Sequence, residues 1–182
     1  MEEILNRIAV FADEAHGDQK RKYEDQRYIV HPMRVMRICQ LYDQPLPVLA
    51  AAILHDVVED TNTSPEQIKK FLSTIMNESD ARETLNIVIE LTDVYTKSRY
   101  PGLNRSIRRS KEAERLEKAS AEAQTIKYAD IIDNAKEIVE HDADFAPVFL
   151  KECRHLIKKM KKGNKELREQ AVTIVEHELE RS

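Results

Sequence analysis

The chain has 182 residues, 41% of them hydrophobic and 34% charged, with a formal net charge of −4. That is enough chain for one domain with a sizeable core, and the slight negative charge supplies no general attraction to nucleic acid or membrane. Three glycines in the whole chain exclude folds that depend on glycine turns, such as β-sandwiches, Rossmann folds and P-loops. Two distant cysteines, Cys39 and Cys153, read as free thiols, compatible with a reducing cytoplasm. The opening Met1-Glu2-Glu3 lacks the basic and apolar regions of a signal peptide, and no apolar run approaches membrane-spanning length, so a cytoplasmic location is expected.

Glu2 to His16 predicts an amphipathic helix with Ile4, Ile8, Phe11 and Ala15 on one face, ended by Gly17. Asp18 to Arg27 is too polar for core and predicts a loop. A second helix is expected from His31-Pro32, with proline at the first helical position, carrying Val35, Met36, Cys39 and Tyr42. Pro45 and Pro47 separate it from the stretch Val48 to Thr61, whose first seven residues are apolar on every side and so must be buried all round in a helix. That stretch then delivers His55, Asp56, Glu59 and Asp60. Helical spacing of four would align His55 with Glu59 and Asp56 with Asp60. Acids at the C-terminal pole of a helix are unfavourable, which points to use rather than to a simple helix end.

Ser64 with Gln67 predicts a capping box for a helix burying Phe71, Leu72 and Ile75. Ser79 is expected to cap the next helix, with Leu85, Val88, Ile89 and Thr92 on its inner face. Tyr100 to Asn104 reads as a loop, and Ser106 to Lys118 as a charged, peripheral helix. Ser120 caps a long helix through Ile126, Ala129, Ile132 and Ile138; Asp144–Met160 and Asn164–Glu180 form a last pair joined at Gly163. No alternating strand pattern of useful length occurs. The expected architecture is an all-α bundle, one domain over 1–182 with a C-terminal helical pair at about 143–182.

His31, the pair His55-Asp56 and Asp130 together make an H…HD…D set. Two imidazoles and two carboxylates form a mixed nitrogen and oxygen site that suits Mn²⁺, Fe²⁺ or Zn²⁺ better than Ca²⁺. Asp130 lies among Ile126, Ala129, Ile131 and Ile132, where a buried carboxylate is costly unless a cation offsets it.

The set resembles the HD-domain metal-dependent phosphohydrolases, and within them the (p)ppGpp pyrophosphohydrolases of the Rel/SpoT type, including small stand-alone alarmone hydrolases of the Mesh1 type. Four segments carry the resemblance: Ala15 to Lys22 (AHGDQKRK), Tyr28-Ile-Val-His31-Pro32, His55-Asp-Val-Val-Glu-Asp-Thr61, and Lys127-Tyr-Ala-Asp130-Ile-Ile-Asp-Asn134. The resemblance implies that His31, His55, Asp56 and Asp130 hold one divalent metal, usually Mn²⁺, and that Glu59 and Asp60 are the catalytic carboxylates. It places Arg21 and Lys22 beside the nucleotide base and Asn134 near the ribose. It further implies an HD-domain helical bundle that removes the 3′-pyrophosphate of ppGpp and pppGpp, alarmones of the stringent response, by a metal-activated water. The partner is then a small nucleotide, with no nucleic acid or membrane. The chemistry agrees: such hydrolysis needs an electrophilic metal, a carboxylate to orient water or move its proton, and cations for phosphates or base.

The pattern also departs from the family. Tyr23 follows the Arg-Lys pair where a small hydroxyl residue is common, and the loop from there to Tyr28 is one residue longer. Glu137 replaces a Thr or Ser, and Tyr100 to Lys118 does not follow the Rel pattern closely. These departures leave open another phosphorylated nucleotide or a dinucleotide cofactor as substrate, and a non-catalytic nucleotide-sensing module as a second alternative. Lys158 to Lys162 reads as helix-end cations rather than an RNA contact. His141, His155 and His177 read as surface residues, and Cys39 as core packing. No Rel-type synthetase, TGS or ACT segment is expected after the bundle.

Overall fold

The computed structural model describes residues 1–181, among which there are ten helices and no strand beyond an isolated bridge between Lys20 and Arg27. They divide into two compact units, Met1–Thr92 and Asp93–Ser182. Among the described residues no helix is long and apolar enough to cross a membrane.

The first unit holds α1 (Glu2–His16), α2 (Val30–Gln40), α3 (Leu46–Leu54), α4 (Val57–Asp60), α5 (Pro65–Leu72) and α6 (Glu78–Leu91). Its axis is α3, buried from Pro47 through Leu54 and packed by α1, α2 and α6. Leu5, Ile8 and Ala12, then Val35, Met36 and Cys39, then Ile87, Val88 and Leu91 are the buried apolar residues those three helices supply. Each large aliphatic side chain removed from water contributes about 1.5–3 kcal/mol, so this all-round burial fixes where the end of α3 points. Burial pushes the Cys39 thiol up to about 12, and the residue packs as a small hydrophobe.

Several local expectations are met and several are corrected. Ser64 and Gln67 form the capping box, with Gln67 N to Ser64 Oγ at 3.3 Å and Ser64 N to Gln67 Oε1 at 2.8 Å. Within α5 it is Ile68 and Leu72 that are fully buried; Ile75 is half-buried beyond the helix, and Phe71 is half-buried and stacks on Phe11 at 4.2 Å. Asn77, not Ser79, caps α6, its Oδ1 accepting from Asp80 N at 3.0 Å. With that start Leu85 is half-buried and Ile89 exposed, and Ala81, Thr84 and Ile87 join Val88 inside. The second helix begins at Val30, so Pro32 falls within its first turn, where its missing N–H still costs no helical bond.

The second unit holds α7 (Arg105–Leu116), α8 (Ala121–His141), α9 (Ala146–Lys159) and α10 (Lys165–Arg181), with Asn104 and Ser120 as caps of α7 and α8. Buried polar side chains tie it together. Gln124 Nε2 donates to the carbonyls of Leu116, Glu117 and Ala119, and its Oε1 accepts from Lys162 N at 2.8 Å. Thr125 Oγ1 accepts from Asn164 N at 2.8 Å. Gly163 between them leaves no room for a side chain, because a Cβ there would lie 2.6 Å from Tyr128 Cε2 and 2.8 Å from Thr125 N. The Lys162 ammonium donates to the carbonyls of Lys118 and Ala119, a helix-end role. His141, His155 and His177 are exposed as expected.

Candidate metal centre

The stretch from Val48 to Thr61 is not one continuous helix. α3 stops at Leu54, His55 and Asp56 form a turn, and α4 resumes at Val57. At the break the His55 imidazole hydrogen-bonds the Ala52 carbonyl through Nδ1 at 2.8 Å. A carbonyl only accepts, so Nδ1 carries the proton and Nε2 presents a lone pair. Asp56 becomes the N-cap residue of the short α4, with Glu59 and Asp60 in its first turn. The expected pair of stripes on a single helix, with acids at its negative end, is therefore replaced by an elbow that carries His55 and Asp56.

His31 and His55 are both buried, and their rings meet edge to face at 5.3 Å. Asp56 Oδ2 lies 3.1 Å from His55 Nε2 and 3.7 Å from His31 Nε2. Each of the three residues offers a ligand atom within 4.8 Å of the other two. Imidazole nitrogens and a carboxylate oxygen converging at this range are held together by a shared proton or by a cation. The donor set fits a first-row divalent ion, whose bonds to such atoms are about 2.0–2.2 Å.

Tyr28 closes the other side of Asp56. Its hydroxyl donates to Asp56 Oδ2 at 2.7 Å, and burial together with the Asp56 and Asp60 charges holds it far above the usual phenol range, so it stays a donor. Asp60 is exposed as a residue, but its carboxyl end interacts with Tyr28, His16 and Gln19. Burial of that end first, and the Asp56 charge second, raise its pKa above the ordinary aspartate value. Glu59 is exposed on the same short helix.

The Asp18–Arg27 loop is as irregular as expected, but internally tied. Arg21 N donates to Gln26 O at 3.0 Å and Tyr28 N to Gln19 O at 2.9 Å. Two of its four cations are structural: Lys20 pairs with Asp25, and Arg27 binds Asp13 at 2.9 Å and the Gly17 carbonyl at 3.2 Å. Arg21 is half-buried, its guanidinium 5.5 Å from the centre of the Tyr28 ring. Lys22 is exposed and lies over Tyr23.

The remaining expected residues belong to α8 in the second unit. Asp130 is buried, with Lys127 Nζ 2.8 Å from its Oδ2 and Asn134 Nδ2 donating to its Oδ1 at 2.6 Å. Glu137, two turns further, is buried. The structure thus gathers Arg21, His31, His55, Asp56 and Asp60 around Tyr28 in one unit and pairs Asp130 with Asn134 in the other. Tyr28, His16 and Gln19 join the site with no role assigned to them by the sequence, because their spacing ahead of His31 says nothing about contact.

An HD-domain family model matches residues 28–135, from Tyr28 to one residue past Asn134. The chain belongs to the HD-domain family. Its matches include the guanosine-3′,5′-bis(diphosphate) 3′-pyrophosphohydrolase MESH1 of Xenopus tropicalis, 35% identical over 138 residues that cover 74% of this chain and 69% of the relative. The enzyme of the same activity name from Aquifex aeolicus is 42% identical over 69 residues, 37% of this chain but only 10% of that longer protein. In fold, this HD-domain chain is similar to a metazoan ortholog of SpoT that hydrolyses ppGpp, with a TM-score of 0.80 at 24% identity over 96% of this chain and 94% of the other.

Proposed function

We propose that this HD-domain protein is a metal-dependent phosphohydrolase that removes the 3′-pyrophosphate of guanosine tetra- or pentaphosphate. The observation that carries the reading is the elbow at His55-Asp56, where two imidazoles and a carboxylate converge beside Asp60 and a loop bearing Arg21. The similarity to MESH1, named for that activity, supports the substrate.

His31, His55 and Asp56 would hold one divalent ion, for which we propose Mn²⁺, and the motif spacing makes Asp130 the proposed fourth ligand. When bound, the ion supplies a Lewis acid that lowers the pKa of water and neutralises phosphoryl oxygens. The chain's own residues do the rest. His55 keeps its ligand lone pair because its other nitrogen is bonded to Ala52 O. Hydrolysis adds water across the bond between the 3′-oxygen and phosphorus: hydroxide goes to the phosphorus, a proton to the 3′-oxygen, and pyrophosphate leaves. Glu59 and Asp60 orient the water and take its proton, and the raised pKa of Asp60 suits a group that must pick up and release one. Arg21, with Lys22, contacts the base, Arg21 offering a planar face for stacking. Asn134 lies near the ribose. The same reading places the enzyme in the cytoplasm with its nucleotide substrate.

The test is product analysis of the purified chain with Mn²⁺ and a nucleotide panel. Release of pyrophosphate from ppGpp, leaving GDP, is the expected result. Turnover of a different nucleotide would favour the second reading, for which Tyr23 beside Lys22 and the buried acid Glu137 are the specific motives. Stoichiometric binding with no product would leave a sensing module instead.

A further inference from the structure

We infer that Tyr28 is a positioning residue that sets the Asp56 carboxylate for the cation and links it to the substrate loop. The inference rests on the metal-centre reading above. Asp56 Oδ2 is the shared vertex of the cluster, facing both imidazole nitrogens, and it is the oxygen to which the Tyr28 hydroxyl donates at 2.7 Å. Asp56 itself is only half-buried and sits at the N-cap of the four-residue α4, with no side-chain bond to that helix's amides. The Tyr28 hydroxyl reaches this carboxylate from outside α4, at the same oxygen that faces the two imidazoles.

Tyr28 is well fixed. Its ring packs on the His16 ring at 4.5 Å and meets His31 edge-on at 6.1 Å. His16 is itself buried, and its Nδ1 is bonded to Gln19 Oε1 at 2.9 Å. Gln19 also accepts the Tyr28 backbone N–H, so the end of α1, the loop and the entry to α2 converge on one phenol. The guanidinium of Arg21 lies over that ring, 5.5 Å from its centre. One side chain therefore serves two functions through separable parts: the hydroxyl orients a ligand, and the ring supports the arginine assigned to substrate.

Separate substitutions test the two parts on the full chain. In Tyr28→Phe the ring stays and the hydroxyl goes. Titration of the metal-free protein with Mn²⁺ alone should show about 10–100-fold weaker binding, the usual loss for a partner of a ligand. The melting temperature of the metal-free protein should stay close to the parent's. The KM for ppGpp at saturating Mn²⁺ should also be nearly unchanged. In Tyr28→Leu the Mn²⁺ loss should be similar, and the KM should rise as well, because Arg21 has lost its support. Parent-like Mn²⁺ affinity in Tyr28→Phe, with His55→Ala abolishing binding, overturns the proposal and leaves the metal centre standing. A Tyr28→Phe protein whose metal-free melting temperature collapses also overturns it, since the hydroxyl is then a structural bond. If the parent chain binds no Mn²⁺, the metal-centre reading fails, and the proposal with it.

Discussion

Buried polar side chains find their partners in two ways, and each unit holds a clear case of one of them. In the second unit Gln124 and Glu112 are closed off mainly by the backbone: Gln124 bonds three carbonyls and an amide, and Glu112 accepts from the amides of Val94 and Tyr95 as well as from Arg115. In the first, two buried histidines and a half-buried aspartate turn their polar atoms toward one another. A buried polar group whose capacity is met by main chain stabilises a corner of the fold. Groups that converge instead form a place for something to bind. Gln124 is the structural case, and the His31, His55 and Asp56 cluster is the candidate functional one.

Mutations should separate the two kinds. The largest effect is expected for His55→Ala, which should remove bound metal and activity together while the melting temperature of the metal-free protein changes little. Asp130→Ala should behave alike, and full metal occupancy in both, measured by elemental analysis, would disprove the ligand set. Next come Glu59→Gln and Asp60→Asn, each expected to keep metal and to lower turnover by about 10²–10⁴-fold. Neither change is expected to stabilise the fold, because the two acids lie in the first turn of α4 and not at the negative end of α3. Parent-like rates in both amide variants would make these carboxylates bystanders.

The structural side of the comparison is sharpened by Gln124→Ala. It leaves the Lys162 amide and three helix-end carbonyls without their side-chain partner, and should cost roughly 1–3 kcal/mol in denaturant unfolding, without changing metal content. Loss of metal at unchanged stability would place Gln124 with the metal centre instead. The smallest effect on the fold is expected for Arg21→Ala, which should weaken kcat/KM by a factor corresponding to about 1–3 kcal/mol and barely move the melting temperature. A large fall in melting temperature with unchanged kinetics would place Arg21 with the structural cations Lys20 and Arg27.

The sequence by itself determined the helical class, most helix bounds and the buried character of Val48 to Leu54, and it singled out His31, His55 and Asp56 as candidate ligands. These follow from short-range causes: periodicity of apolar residues, caps such as Ser64 and Ser120, and residue types with few uses other than metal binding or proton transfer. Local ambiguity accounts for the near misses, as where Asn77 and Ser79 are both good caps and the first one available is used. Only the tertiary structure decided the elbow at His55, because a continuous helix and a broken one share the same residues until the imidazole meets the Ala52 carbonyl. It also decided that Lys20 and Arg27 are tied down while Arg21 rests on an aromatic ring, and that Tyr28 bonds Asp56 across 28 positions of chain. Contacts that distant leave no periodic trace in a single sequence. They exist only once burial of α3 has brought α1, the loop and the start of α2 around its end.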